Sequence, residues 1–367
     1  MAEALKHLYS KEYIRLLLEE VSKQYSAFPT KQFHKLVFDK EWTTRELKQR
    51  MRHISECLKR TLPEDYSSAL AILMKTYPRM TGLKYIGFAN MCFADFVELY
   101  GIDHYALSIP ALEFFTIGCS SEFAVRPYII KYPDLMMKQM LIWAHHPHEH
   151  VRRLASEGCR PRLPWAMGLP EFKKNPSPIL PILEALKNDP SEFVRRSVAN
   201  NLNDIAKDHP ELVLRMAKQW KGQSKETDWV IKHGCRTLLK RGHTQVLEHF
   251  GFKKATGVQV LRFKLSQSAV KIGDKLSFSF SIRTPIAQKL RIEYSIDFVT
   301  SRGNNSKKIF KIAENTLEKN KMQPFTKSHS FRDLTVRKHF AGRHTLAIIV
   351  NGNVLAKKHF DVSRPHS

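Results

Sequence analysis

The heptapeptide Pro147-His148-Glu149-His150-Val151-Arg152-Arg153 returns 43 residues later as Pro190-Ser191-Glu192-Phe193-Val194-Arg195-Arg196. A weaker copy, Thr227-Asp228-Trp229-Val230-Ile231-Lys232, follows. A period near 40 residues that leaves room for two helices per unit is the mark of a HEAT-like solenoid. A single unit of this kind cannot bury its own apolar face, so neighbours must stack and share a core. The rest of the first two thirds of the chain reads the same way. Tyr13, Leu16, Leu17 and Val21 fall at helical spacing, as do Leu47, Met51, Ile54 and Leu58. The spacing predicts helices over 10–25, 43–60 (started by Thr43 or Thr44), 64–77, 86–100, 104–118, 121–131, 133–145, 147–159, 178–188, 190–207, 210–221, 226–240 and 243–250. Loops are short except at 160–177, which holds several prolines.

The pattern changes near residue 256. Short alternating runs rich in Phe, Ile, Val, Ser and Thr predict strands at 257–264, 275–283, 288–299, 306–312, 327–332, 343–350 and 353–362. Asn351-Gly352 between two such runs is a strong hairpin signal. Seven strands in this span point to an immunoglobulin-like sandwich, without the disulfide of antibody domains because no cysteine lies there. The expected architecture is mainly α, a HEAT-like helical-repeat solenoid at 1–256 followed by a small all-β immunoglobulin-like sandwich at 257–367.

Charge narrows the partners. The 367 residues carry 60 Lys and Arg against 35 Asp and Glu, a formal charge of +25. Such an excess favours a polyanion, nucleic acid or an acidic membrane surface. Residues 257–367 hold 21 Lys and Arg against 7 Asp and Glu, so the smaller domain is the more basic per residue. It reads as an accessory clamp on a polyanion. No apolar run has the ~18 residues a membrane span needs, and Met1 to Lys11 lacks a signal peptide's apolar stretch. The five cysteines are widely spaced with no Cys-x-x-Cys pair, so neither a structural zinc nor a disulfide framework is expected. A reducing cytosol is the expected location, and no membrane partner is expected.

The stretch 147–165 concentrates the residues that carry chemistry. A helix starting near Pro147 should stop near Cys159 or Arg160, because Pro161 disfavours its continuation. Arg152, Arg153, Arg160 and Arg162 surround one carboxylate, Glu157, and a stiff extension through Pro164 ends in Trp165. Glu157 falls in the last turn of its helix, where negative charge is disfavoured. Arg153 and Arg160 can neutralise it, which fits either an ion pair or a functional site. Glu122 follows Gly118-Cys119-Ser120-Ser121. Capping by either serine would place it in a first turn, where an acid is routine. Trp165 is a core anchor or a face for a sugar or base. The arginine pairs recur at one place in each unit and should line up along one face. The run His145-His146-x-His148-x-His150 points in alternating directions on a helix start, so no metal is expected. There is no Walker loop, Gly-x-Gly-x-x-Gly or Gly-x-Ser-x-Gly.

Three segments carry a family resemblance: Ser121-Glu122-Phe123-Ala124-Val125-Arg126-Pro127, the run from Ala155 to Trp165, and the run from Val194 to Asp204. They resemble the AlkC branch of bacterial alkylpurine DNA glycosylases, in the AlkD/AlkC superfamily of HEAT-like repeat proteins. The resemblance covers most of residues 1–250, and only loosely the first hundred. Some members of the branch carry a C-terminal immunoglobulin-like domain. The resemblance implies hydrolysis of the N-glycosidic bond of N-alkylated, cationic bases, chiefly 3-methyladenine, in duplex DNA, without base flipping and without a metal or organic cofactor. It implies that Glu122 and Glu157 are the active-site carboxylates and that Trp165 packs beside the lesion's deoxyribose. DNA contacts are expected from Arg126, Arg152, Arg153, Arg160, Arg162, Arg195, Arg196, Asn201 and Lys232. The enzyme is expected to be monofunctional and to act as a monomer on double-stranded DNA containing alkylated bases. The competing reading is a non-catalytic basic scaffold for nucleic acid.

Overall fold

The first two thirds of the chain is built of helices joined by short loops, and a computed structural model describes residues 5–84, 86–334 and 338–364. The α-helices are α1 Lys11–Gln24, α2 Thr30–Val37, α3 Leu47–Lys59, α4 Tyr66–Thr76, α5 Ile86–Ala89, α6 Met91–Tyr100, α7 Tyr105–Thr116, α8 Val125–Lys131, α9 Pro133–Trp143, α10 Glu149–Gly158, α11 Pro170–Lys174, α12 Leu180–Leu186, α13 Glu192–Ile205, α14 Pro210–Trp220, α15 Lys225–Gly234, α16 Arg236–Arg241 and α17 Thr244–His249. Their ends follow local chemistry. Ser10 Oγ accepts the Tyr13 N–H at 3.2 Å, and Asp65 Oδ2 accepts the Ser68 N–H at 2.8 Å. Prolines open α9 and α11, where a missing N–H costs nothing.

Several starts differ from the sequence reading. Neither Thr43 nor Thr44 begins α3. Its N-cap is Glu46, whose N–H is taken by Gln49 Oε1 at 2.8 Å. The cap of α10 is His148, whose Nδ1 accepts the His150 N–H at 3.1 Å, so Pro147 stands outside the helix. The helix expected at 226–240 is two, α15 and α16. The short α2 and α11 were not expected.

The repeated segments stack. Helix α10 packs on α13, and α13 on α15. Val151, Leu154 and Ala155 in the first, Val194, Val198 and Leu202 in the second, and Val230 and Ile231 in the third are all buried. Each copy therefore buries an equivalent apolar stripe, as a repeat requires.

The strands are β1 Gln259–Leu265, β2 Ala269–Lys271, β3 Lys275–Arg283, β4 Gln288–Val299, β5 Asn305–Leu317, β6 Gln323–Ser330, β7 Gly342–Val350 and β8 Asn353–Ser363. They form a three-stranded sheet, β1-β3-β6, and a five-stranded sheet, β2-β8-β7-β4-β5. Leu276, Phe278, Phe280 and Ile282 from one sheet meet Leu290, Ile292, Ile296, Leu346 and Ile348 from the other in a shared core. Strands β7 and β8 form the expected hairpin, with Asn351 at φ +45° and Gly352 at φ +83°. Two successive positive φ values are what a tight turn matched to sheet twist demands. The three-residue β2 lies parallel to β8 and is too short for alternation to reveal.

The chain separates into two compact units: 1–208 with 220–234, and 209–219 with 235–367. The second thus holds helical segments as well as the sandwich. The reason lies in β4, which buries both faces. Leu290 and Ile292 enter the sandwich core, while Arg291, Glu293 and Ser295 on the opposite face are also buried. The chain around α16 and α17 packs at the start of β4 and at the β7–β8 turn. The Gly242 and Gly352 backbones are in close contact, Lys289 Nζ donates to the Phe250 carbonyl at 2.9 Å, and Asn351 Nδ2 to that of Lys253 at 2.7 Å.

Candidate active site

Two carboxylates converge where α8 meets α10. Glu122 sits in the turn before α8, not in the helix, which starts at Val125. Neither serine caps it in the expected way. Ser121 Oγ donates to the Leu112 carbonyl at 2.7 Å, and its carbonyl accepts the Val125 N–H at 3.1 Å. The turn is anchored by Gly118, at φ +98°, whose N–H is taken by His150 Nδ1 at 3.1 Å. Ser120 Oγ is the hub. It donates to Glu122 Oε2 at 2.9 Å and accepts from Arg153 Nη1 at 3.0 Å. Arg153 Nη1 also donates to Glu122 Oε2. Both contacts fall on one carboxylate oxygen, and the side chain is 15 % exposed.

Glu157 is buried in the last turn of α10. Arg160 Nη1 donates to its Oε1 at 2.6 Å, and Arg153 Nη2 lies 3.5 Å from the same atom. Ser197 Oγ, from α13, donates to its Oε2 at 2.6 Å and accepts from Ser156 Oγ at 2.6 Å. Arg160 Nε in turn donates to Asp204 Oδ2 at 2.9 Å. Burial alone would weaken the Arg160 cation. Glu157 and Asp204 outweigh it, and the net shift of its pKa is upward. A carboxylate at a helix C-terminus is thereby held by two cations and a hydroxyl. Arg153 stands between Glu122 and Glu157 and touches both.

Trp165 is 61 % exposed, with φ +64°. It is therefore no core anchor. Lys48 Nζ, from α3, donates to its carbonyl oxygen at 2.7 Å and lies 4.4 Å from the ring centroid of Phe123, the neighbour of Glu122. The exposed indole and the Glu122 turn thus share one fastening.

The arginines divide by duty. Arg126 is fully buried, its Nε donating to the Met167 carbonyl at 2.7 Å and its Nη1 to that of Gly158 at 2.8 Å. Burial lowers its pKa to about 10. It fastens the loop after α10 and has no surface for a phosphate, which corrects the expectation of a DNA contact. Asn201 is also fully buried and donates to the Ser156 carbonyl at 2.8 Å, so the same correction applies. Arg152 Nη1 donates to the carbonyls of His146 and Pro147, and Arg195 Nη1 to those of Asp189 and Pro190. The first arginine of each pair closes the loop before its own helix. Arg152 also makes two bonds to Asp189, at 2.6 and 3.0 Å. The second arginines do not share one environment. Arg153 enters the carboxylate cluster, whereas Arg196 is 60 % exposed beside Glu192. Arg162 pairs with Asp208 at partial exposure, and Lys232 is half-buried on α15.

The sequence offered Ser120 only as a helix cap and gave no role to Ser197 or Lys48. Ser197 had a signal: it occupies the place that Leu154 holds in the first copy of the repeat. The repeat departs from itself where Glu157 needs a hydroxyl. Among the described residues no cluster of three or more His, Cys, Asp or Glu has the arrangement of a metal site, and no helix is long and apolar enough to cross a membrane.

Comparison with known proteins places both parts of the chain. Residues 115–238 match the model of the family described as DNA alkylation repair enzyme. Residues 259–364 match the model described as the C-terminal Ig-like domain of YhaZ. The YhaZ protein of Bacillus subtilis (strain 168) is 46 % identical over 358 residues, covering 98 % of this chain and 99 % of that one. The solved structure of Pseudomonas fluorescens alkylpurine DNA glycosylase AlkC, bound to DNA containing an abasic site analog, is similar at a TM-score of 0.93. It is 35 % identical, covering 98 % of this chain and 100 % of that one.

Proposed function

Since the chain belongs to the AlkC-type alkylpurine DNA glycosylases, a DNA alkylation repair family, we propose that it excises cationic N-alkylated bases such as 3-methyladenine from duplex DNA. The observation that carries this reading is the pairing of Glu122 and Glu157 around Arg153, beside an exposed Trp165.

The chemistry needs little else. An alkylated purine already bears positive charge, so it leaves without protonation. Charge then develops on the sugar, and fixed negative groups nearby lower that barrier. Glu157 has both oxygens committed to protein partners, while the contacts to Glu122 fall on Oε2. We assign to Glu122 the attack face, where it stabilises the oxocarbenium-like sugar and orients water. Glu157 supplies field from beneath and fixes Arg153. The indole of Trp165 offers a π face to the cationic sugar. Its exposure supports action on a nucleotide that stays in the duplex. The basic surface of the sandwich domain adds a sequence-independent hold on the phosphates, and exposed Arg196 serves the same purpose. The product is an intact strand bearing an abasic site.

Duplex DNA treated with a methylating agent, followed by chromatography of released bases, tests the proposal. The parent protein should release 3-methyladenine. Glu122→Gln and Glu157→Gln should each lose at least ~100-fold in rate while binding undamaged duplex as tightly or more so. Salt-sensitive binding without any released base would overturn the reading in favour of a non-catalytic scaffold.

A further inference from the structure

Lys48 lies 117 residues before Trp165, on α3, well outside the segment matched by the alkylation-repair model. Its single ammonium joins two parts of the site: the Trp165 carbonyl at 2.7 Å and the face of Phe123 at 4.4 Å from the ring centroid. Trp165 needs such a tie. A left-handed backbone is unusual for a bulky residue and persists only when its surroundings hold it. The indole is mostly exposed, so packing of the ring does not supply the hold. The backbone does. Pro164 precedes it, the Ala166 N–H returns to the Leu163 carbonyl at 3.3 Å, and Lys48 grips the carbonyl of Trp165 itself. The base of Lys48 is equally fixed, because its helix is anchored one turn later. There Arg52 Nη2 meets the buried Asp95 at 2.9 Å and Glu98 at 2.6 Å.

We infer that Lys48 is a positioning residue for base excision. Its ammonium sets the Trp165 indole in register with the Glu122 turn, so that the aromatic face and the carboxylate address the same sugar. Its task is intramolecular. It is not one of the cations that neutralise phosphates. The inference rests on the glycosylase reading above and adds to it a residue from the N-terminal helices.

The test is single-turnover excision of 3-methyladenine by Lys48→Met, Lys48→Arg, Trp165→Ala and the Lys48→Met/Trp165→Ala double variant, with DNA affinity measured over a range of salt. Lys48→Met should excise about 5–10-fold more slowly, with unchanged affinity for undamaged duplex and an unchanged salt slope. Lys48→Arg, which can still donate to the carbonyl, should recover most of the rate. The double variant should be no slower than Trp165→Ala alone, since the two residues act as one unit. Three results overturn the inference: a rate equal to the parent in Lys48→Met, a salt slope lowered by about one unit as for a lost phosphate contact, or additive losses in the double variant. Should Lys48→Met fail to fold, Lys48→Leu, which likewise lacks a donor, carries the same comparison. A parent protein that releases no base would defeat the glycosylase reading itself. An active parent with an indifferent Lys48→Met defeats only the role of Lys48.

Discussion

Arg153 Nη1 is bound to Glu122 Oε2, although the two residues lie 31 positions apart, one on α10 and the other in the turn before α8. The same guanidinium lies 3.5 Å from Glu157. One cation therefore keeps two carboxylates of like charge close together, which their mutual repulsion would otherwise oppose. Arg153→Ala should slow base release about 10–100-fold, because both carboxylates lose their common partner and Glu122 its fixed rotamer. Arg153→Lys should recover only part, as an ammonium cannot span both groups in a planar fork. Excision kinetics of the two variants check this.

Arg196 holds the equivalent place in the next repeat but is 60 % exposed. Its surface pair with Glu192 is worth less than ~1 kcal/mol. Arg196→Ala should leave thermal stability unchanged within ~0.5 kcal/mol, while affinity for undamaged duplex falls and the salt slope drops by about one. An unchanged slope would remove Arg196 from the phosphate contacts.

Arg152 and Arg195 close equivalent loops, yet of the two it is Arg152 that also donates two hydrogen bonds to a buried carboxylate, Asp189. That hydrogen bonding raises the Arg152 pKa, and its charge is firmly held. Removing one partner of a largely buried pair leaves the other uncompensated. Arg152→Ala should cost about 3 kcal/mol by denaturant unfolding, against about 1 kcal/mol for Arg195→Ala, which loses bonds to carbonyls alone.

Asp95 gives a pH-dependent prediction. It is buried on α6, and neither oxygen finds a well-aligned donor among the described residues. Burial raises its pKa from 3.8 to about 6, and the attraction of Arg52 only partly offsets this. The folded state then binds a proton more tightly than the unfolded chain. Ionised Asp95 costs about 3 kcal/mol above pH 6, and that cost fades as pH falls from 6 toward 4. Asp95→Asn should be more stable than the parent at pH 8, by about 1–3 kcal/mol once the loss of the Arg52 pair is set against the gain. The advantage should vanish near pH 4. Melting curves at the two pH values decide it.

Gly158 ends α10 against α8. A Cβ there would stand 2.6 Å from Val125 Cγ2 and 3.2 Å from Met140 Cε. The carbonyl of Gly158 also receives Arg126. Gly158→Ala should destabilise by about 1–3 kcal/mol through overpacking. It should also slow excision, since the strain falls on the helix that follows Glu122. Unfolding and excision rates measured together test both effects.

The sequence alone determined the helical array and the sandwich, and it singled out Glu122 and Glu157 as the candidate carboxylates. Those rest on patterns that stay local. Apolar spacing of three and four residues, a repeat near 40, alternation in the last third, and Asn351-Gly352 at a hairpin are each legible without knowing what packs where. The family resemblance reached Glu122 and Glu157 by the same route, through contiguous segments. Tertiary structure decided the duty of each cation. Arg152 and Arg153 are neighbours in the chain, but their positions on a helix differ by about 100°, so one meets Asp189 and the other Glu122. Arg126 reads as a surface cation in sequence, yet the loop after α10 folds over it and consumes it on two carbonyls. Ser197 and Lys48 reach the site from α13 and α3, 40 and 117 residues from the groups they hold. No local pattern encodes which element will lie opposite a side chain. Only the packing of distant helices settles whether a charge is spent inside the protein or left for a ligand.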